Sequence, residues 1–460
     1  MMNTTTTAMQ QVDSRPLTSN QKSLIGLTVV GNISEFFDLF LIGFVIHLLM
    51  KTPGWDLTGW EIGMIGAASG VGTVLGAVIW GRLADRFGRR NSFIGCIIVL
   101  VVFTAVTLTI QPGQWELLSL YRIGVCIGVG GLNITSIPFV QEFVPAKQRG
   151  LLSGLTSVFI PLGIFLGSLA TKFLGEPFGW KGLIALGCLP ILLIAWAATV
   201  PESPRFLASR GKINEAKKAY AWALKMPEDQ VGSLPVFEKN TKSTSYGIIF
   251  SKYPKELLIV SAGSFCFILG AFTVQSWGQT ILGESFKFDT NAVAYMFMAV
   301  SLADLLGRLG SAWISDHIGR RKTMLIWGGL GGVGCLIAAF STKIATSFGE
   351  DSFHAAGIVF FIGILIAMAF GDGAFGILNA FGAEQFPNEA RSTGVGLGYG
   401  IGASAKIFGP YLVGAMIGGG KPTPEVVFLP FMIFAVLLFV GGFIYMQAKE
   451  TAGKQLEQIE

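Results

Sequence analysis

GRLADRFGRR (Gly81–Arg90) and SAWISDHIGRRK (Ser311–Lys322) are two versions of one turn, each closing a long apolar run. Asp85 and Arg89 in the first copy align with Asp316 and Arg320 in the second. Two further stretches repeat in the same order. QEFVPAKQRG (Gln141–Gly150) matches EQFPNEARST (Glu384–Thr393), aligning Glu142 with Glu384, Pro145 with Pro387 and Arg149 with Arg391. PESPRF (Pro201–Phe206) matches KETAGK (Lys449–Lys454), aligning Glu202 with Glu450. Such ordered landmarks mark a parallel internal duplication in the 460-residue chain.

The apolar runs between these turns say what the repeated unit is. Hydrophobic residues make up 52% of the chain and charged ones 13%, about half the charged content of a soluble domain. The runs are continuous rather than alternating, which favours helices over a barrel. Spans are expected near 23–50, 60–80, 92–111, 117–142, 150–173, 181–200, 256–282, 290–312, 323–341, 354–384, 392–418 and 424–447, six in each half. The expectation is an all-α membrane protein of two pseudo-symmetric six-helix bundles. Arg82, Arg86, Arg89, Arg90, Lys147, Arg149, Arg320, Arg321 and Lys322 fall in alternate connections, which the positive-inside rule makes cytoplasmic, with both termini. The chain then divides into a cytoplasmic tail (1–22), a bundle (23–200), a cytoplasmic linker (201–255), a second bundle (256–447) and a second tail (448–460). The Thr-rich segment up to Asn20 is expected to be disordered.

The G-x-x-x-D-R-x-G-R-R turn and its degenerate second copy, in which Ala312 replaces Gly, resemble the major facilitator superfamily across essentially the whole chain. That resemblance implies alternating access in an inner membrane. Asp85, Arg86, Arg89, Glu142, Arg149, Glu202, Asp316, Arg320, Glu384 and Arg391 are then gating candidates. Opposite charges at helix ends are expected to bridge the bundles when the inside is closed and to separate when it opens. Topogenic charge explains the arginines but not the repeated carboxylates.

Ionisable groups at bilayer depth cost at least ~2.5 kcal/mol each on insertion scales, so retained ones face a cavity or a partner. Glu35 and Asp38 lie within the first span, Arg122 in the fourth, Asp304 and Arg308 in the eighth, Asp372 in the tenth and Lys406 in the eleventh. Asp304 and Asp372 each precede a cytoplasmic-end carboxylate by twelve residues, ~18 Å of helix, which is near the midplane. Asp38 with Arg122 is the leading proton-coupling pair, with Glu35, Asp304 and Asp372 as further candidates. Asp304 and Arg308, four apart, are equally readable as mutual neutralisation. Asp304 and Asp372 are also the rivals for Lys406, which otherwise offers its charge to an anionic solute.

FFD (Phe36–Asp38), Arg122-Ile-Gly and PESPRF resemble both the sugar porters and the organic-ion branch of the superfamily. FTVQSWGQTIL (Phe272–Leu282) and AKIFGP (Ala405–Pro410) are similar to the aromatic-acid:proton symporters and nicotinate-type transporters, while Ser264, Phe265 and Cys266 stand where sugar porters carry paired glutamines. Lys406, Phe272, Gln275, Trp277, Phe375 and Asn379 are accordingly the substrate candidates, for a small organic anion such as a benzoate- or nicotinate-like acid carried with a proton. A sugar or polyol:proton symporter, or a transporter-like solute sensor, is the alternative. Gly420-Lys421 lacks the remaining residues of a phosphate loop, and no nucleophile elbow or Cys/His cluster occurs. No enzyme activity, cofactor, metal or nucleic acid is expected. The partners are the solute, the proton and the bilayer, and the chain is expected to act as a monomer.

Overall fold

The computed structural model describes residues 7–145, 148, 152, 155, 158–234, 246–347, 353–387 and 390–452. Among them the chain is helical, without strands, apart from one isolated bridge between Thr7 and Ser233. The first half comprises α1 (Ala8–Ser14), α2 (Ser19–Met50), α3 (Gly59–Phe87), α4 (Arg89–Thr107), α5 (Trp115–Gln141), α6 (Pro161–Leu186) and α7 (Leu192–Ala198). Next come α8 (Pro204–Ser209), α9 (Ile213–Leu224) and α10 (Tyr246–Lys252). The second half comprises α11 (Pro254–Thr280), α12 (Thr290–Ile318), α13 (Arg320–Ala339), α14 (Ser341–Ser347), α15 (Phe353–Ile366), α16 (Leu378–Glu384), α17 (Arg391–Ala403), α18 (Ala405–Ile417) and α19 (Phe428–Met446).

Among the described residues, eleven helical stretches are long and apolar enough to cross a membrane. One of them, Pro161–Ala198, has 38 residues, ~57 Å if straight against a ~30 Å hydrocarbon layer. It breaks at Gly179, with φ 59 and ψ −163, a conformation in practice restricted to glycine. Two spans therefore lie within it, and the total is the expected twelve.

The amino-terminal expectation is corrected for residues 7–20; residues 1–6 lie outside the described residues. Thr7 and Thr18 each form a capping box, with Gln10 and Gln21, so α1 and the start of α2 are ordered helix. Ala8 and Val12 of α1 pack on Tyr220, Ala221 and Leu224 of α9. Asn20 donates to the Trp222 carbonyl at 2.7 Å. A seven-residue polar helix is marginal alone, and its stability here comes from that docking.

The halves meet along a stripe of small residues. Gly59, Gly63, Gly66 and Gly70 of α3 face Ile417, Gly414, Pro410 and Lys406 of α18. A Cβ added at Gly63 would lie 2.7 Å from the Gly414 Cα, so only glycine permits this approach. Contacts between halves continue at the end away from the charged loops. Lys51 donates to Thr290 at 3.0 Å, Asn291 donates to Glu176 at 3.1 Å, and the Gly59 and Trp60 N–H groups donate to Gly420 and Gly418.

One span loses its regular ladder at the depth of the buried charges. After α15 the chain makes a π turn (Ala367–Gly371) and a 3-10 turn (Asp372–Gly376) before α16. Irregular backbone at membrane depth is tolerated where protein surrounds it. Here Gly373 lies against Gly307, and Ser311 donates to the Gly373 carbonyl at 2.7 Å. Asp372 is thereby set against the face of α12 that carries Asp304 and Arg308.

Candidate functional site

Two buried charge groups and a half-buried lysine occupy the middle of the molecule. In the first half, Arg122 Nη1 donates to Asp38 Oδ2 at 3.0 Å. The same guanidinium donates to the Ser69 hydroxyl at 3.2 Å and, at 3.4 Å, to the carbonyls of Asp38 and Leu39. Leu41, Val45, Leu118 and Val125 line the space beside the pair. With so little water, the Coulomb attraction is far stronger than at a surface. The expected contact between the first and fourth spans is therefore formed.

In the second half, Arg308 binds two carboxylates. Nε donates to Asp304 Oδ1 at 3.0 Å, and Nη2 donates to Asp372 Oδ2. Gln275 from α11 also donates to Asp372 Oδ2, at 3.3 Å. The Arg308 guanidinium lies 5.5 Å from the centre of the Phe375 ring. Mutual neutralisation of Asp304 and Arg308 is thus realised, with Asp372 as a third member brought in by the irregular turn.

That arrangement leaves Lys406 apart from both expected rivals. Its Nζ stands 5.7 Å over the Phe272 ring, which packs on Phe40 of α2 with ring centres 6.1 Å apart. It forms no ion pair at 4.0 Å or less among the described residues. Glu35 is 2% exposed, and its Oε2 has no hydrogen-bond partner. Both rivals expected for Lys406 are held by Arg308. Helical spacing could not show that the ring beneath Lys406 meets α2, because that contact depends on how the two bundles dock.

The other substrate candidates separate. Phe272 and Gln275 line the same region as Lys406 and Asp372. Trp277 is 1% exposed and donates Nε1 to the Pro410 carbonyl at 3.2 Å, so it clamps α11 to α18 one turn beyond Lys406. Asn379 is exposed on α16, outside the charge groups.

The gating candidates form two clusters, one within each half. Arg89 meets Asp85 at 2.7 Å and Glu142 at 3.4 Å. Glu142 also accepts from the Ser203 hydroxyl. Glu202 accepts from the N–H groups of Arg89 and Arg90 at 2.7 and 3.0 Å, filling the positive amino terminus of α4. The second half repeats the pattern. Arg320 meets Glu384 at 2.8 Å and Asp316 at 3.9 Å, and Glu450 accepts from the N–H groups of Arg320 and Arg321 at 3.0 and 3.2 Å. The glycine immediately before Arg89 and before Arg320 has a positive φ, 101 at Gly88 and 96 at Gly319, and any Cβ there would run into the carboxylate of Glu202 or Glu450. The clusters differ from the expected bridges between bundles, because the repeated turn folds back onto the end of its own half. Arg86 is exposed and stacks on Phe87, and Arg391 donates Nε to the Ala383 carbonyl at 3.2 Å. Arg149 lies outside the described residues.

Comparison with known proteins agrees with this architecture. The family model described as "Sugar (and other) transporter" matches residues 1–460. The niacin transporter NiaP of Acinetobacter baylyi is 28% identical over 98% of this chain and 99% of its own. The gallate transporter of Pseudomonas putida is 26% identical over 95% of this chain and 95% of its own. A solved structure, the partially occluded inward open conformation of the xylose transporter XylE from E. coli, superposes with a TM-score of 0.72 at 20% identity. It covers 95% of this chain and 100% of that one, and at that identity the likeness speaks to the fold alone.

Proposed function

This chain belongs to the sugar (and other) transporter family of the major facilitator superfamily, and from that premise we propose that it carries a small aromatic or heteroaromatic monocarboxylate together with a proton. The observation that carries the reading is Lys406. It is a cation in the middle of a membrane protein, over an aromatic ring, with both second-half carboxylates taken by Arg308. A half-buried ammonium flanked by an aromatic face is suited to an anion bearing a flat apolar body. Relatives named for niacin and gallate, two ring-bearing monocarboxylic acids, support the same class of solute.

Proton coupling follows from the charge balance. Arg122, Arg308 and Lys406 are surrounded by Glu35, Asp38, Asp304 and Asp372, so the buried carboxylates already outnumber the cations before an anionic solute arrives. A further negative charge in a water-poor site calls for a proton. With the charged loops cytoplasmic, the sealed end faces outward and the structure faces inward. Residues 23–200 and 256–447 then act as the two moving bundles of a monomer in the inner membrane, with 201–255 as the cytoplasmic linker.

Proteoliposome uptake of radiolabelled nicotinate, benzoate, 4-hydroxybenzoate and xylose, with and without an inward proton gradient, tests this. Accumulation of at least one of the acids only with the gradient, with counterflow of label, is the expected result. Preference for xylose over every acid would replace the reading with a sugar symporter, and absence of counterflow for any solute would replace it with a sensor.

A further inference from the structure

Of the three histidines, His317 and His354 are exposed, whereas His47, near the sealed end of α2, is 0% exposed. The second half closes over it. Nδ1 lies 3.5 Å from Glu284 Oε1, and Nε2 lies 3.4 Å from Thr290 Oγ1. Gly283 packs on the imidazole so closely that a Cβ there would run into the ring. His47 is thus a first-half side chain enclosed by second-half residues, at contacts that part when this end opens.

The hydrogen bonds assign the ring its charge. Thr290 Oγ1 already accepts from the Lys51 ammonium at 3.0 Å, which leaves the hydroxyl hydrogen to donate to Nε2. The single ring hydrogen then sits on Nδ1, toward Glu284, and the imidazole is neutral. A second ring proton on Nε2 would aim two cations, His47 and Lys51, at one hydroxyl oxygen. The other charged groups facing the ring are Glu284 and Asp289. Asp289 is committed to capping α12 through the Ala292 N–H at 2.7 Å. Glu284 favours a charged ring, but it also faces Lys51 and Lys287 and keeps 18% of its side-chain surface exposed. An enclosed imidazolium keeps no water, and that loss exceeds what a shared carboxylate returns. From α6, Gly175 lies against Leu48 and Thr290, and Glu176 is turned to Asn291.

We propose that His47 is a proton-binding site of the gate at this end, neutral while the end is sealed and protonated from the aqueous phase once it opens. Parting of the halves takes Gly283, Glu284 and Thr290 off the ring and gives it water, where an imidazole titrates near about 6.5. The proton adds to Nε2 from water and leaves by the same route before the end can close. No covalent bond other than that N–H forms or breaks. Because the proton is bound in the open state and not in the sealed one, acid favours opening. The ratio of open to sealed molecules is constant above the ordinary histidine value and rises as pH falls below it. This linkage is independent of the solute and of the carboxylates at the centre of the molecule.

Distances between spin labels on Asp56→Cys and Lys421→Cys test this, measured by pulsed electron resonance on the full chain in lipid nanodiscs, without solute and with the five native cysteines replaced. With His47 intact, the ratio of the long, open distance to the short, sealed one is expected to be constant between about pH 7 and about pH 8. Below about pH 6 it is expected to rise toward about tenfold per pH unit. His47→Gln and His47→Asn, both neutral, are expected to show a constant ratio over the whole range, and Glu284→Gln is expected to keep the rise. A ratio that does not change with pH when His47 is intact overturns the assignment whether or not the variants fold. So does a sealed population that grows in acid, since a charged His47 would then be pairing with Glu284. A rise that survives in His47→Gln or His47→Asn places the proton elsewhere and overturns it as well.

Discussion

Lys406 is fixed by its neighbours before any ligand arrives. Its backbone is pressed against Gly70, and the Trp277 indole clamps the following turn through the Pro410 carbonyl. Lys406→Gln is therefore expected to change charge without moving the helix, and to weaken carboxylate binding by about 2–5 kcal/mol because the bound anion is left unpaired. Lys406→Arg keeps the charge on a broader, planar group and is expected to retain only part of the affinity. Titration of both variants with the acid panel checks this, and unchanged affinity in Lys406→Gln removes the lysine from the site. Asp38 presents a different case, since Arg122 makes four contacts to α2 and α3 that include this carboxylate. Asp38→Asn is expected to abolish accumulation against a gradient while leaving exchange of label, and accumulation that persists with its pH dependence intact excludes Asp38 from coupling. These residues were legible in the sequence because charge at membrane depth is expensive and so stands out. Their pairing was only partly legible. Asp304 with Arg308 follows from i,i+4 spacing, whereas Arg308 with Asp372 depends on a turn that departs from α geometry.

At the level of elements, the span boundaries followed hydropathy, and the departures occur where tertiary contact overrides local pattern. The broken turn at Asp372 carries no proline within it to announce it, and α1 is polar and short. The seam between α3 and α18 is the element on which the sealed end depends. Gly63→Leu places a side chain where even a Cβ would lie 2.7 Å from the Gly414 Cα. It is expected to force the seam apart and raise labelling of a cysteine introduced at Trp60 by a membrane-impermeant reagent added from outside. Labelling no higher than that of the same cysteine beside Gly63 shows that the seam tolerates bulk. At the other end the repeated turns are latched by acids from the segments after α7 and α19. Partial burial tends to raise the Glu450 carboxyl, but N–H donation from Ala452, Arg320, Arg321 and Thr451 outweighs it and holds the group below its usual value. A depressed carboxyl stabilises above its ordinary value of about 4.3, and the contribution is lost as pH falls through the lowered value. Amide exchange at Arg320 and Arg321 is expected to remain slow at about pH 5. Fast exchange there already at that pH would mean that Glu450 does not hold the turn.

For the whole molecule, the two clusters of loop charges stay inside their own halves while the opposite end is closed between halves. On the proposed transport cycle, opening is not the breakage of the pairs Arg89–Glu142 and Arg320–Glu384, which hold each bundle together at its charged end while the bundles rock as bodies. What separates on outward opening is the set of contacts at the sealed end. These comprise Lys51 with Thr290, Glu176 with Asn291, and Asp56 with Lys421, whose charged atoms are 3.7 Å apart. Asp56 and Lys421 are both well exposed at the rim, and an exposed pair of this kind contributes at most about 1 kcal/mol, so replacing them leaves the fold intact. Cysteines at these two positions, in a chain whose five native cysteines are replaced, are expected to cross-link with a short bis-thiosulfonate reagent. The cross-link holds the outer end shut, and transport is expected to stop and to return on reduction. Binding of the acid should continue throughout, because the cross-link lies at the rim, away from Lys406. Uptake that proceeds at the uncross-linked rate after complete cross-linking would mean that this end never opens, and the rocking of the two halves about the α3–α18 seam would have to be given up.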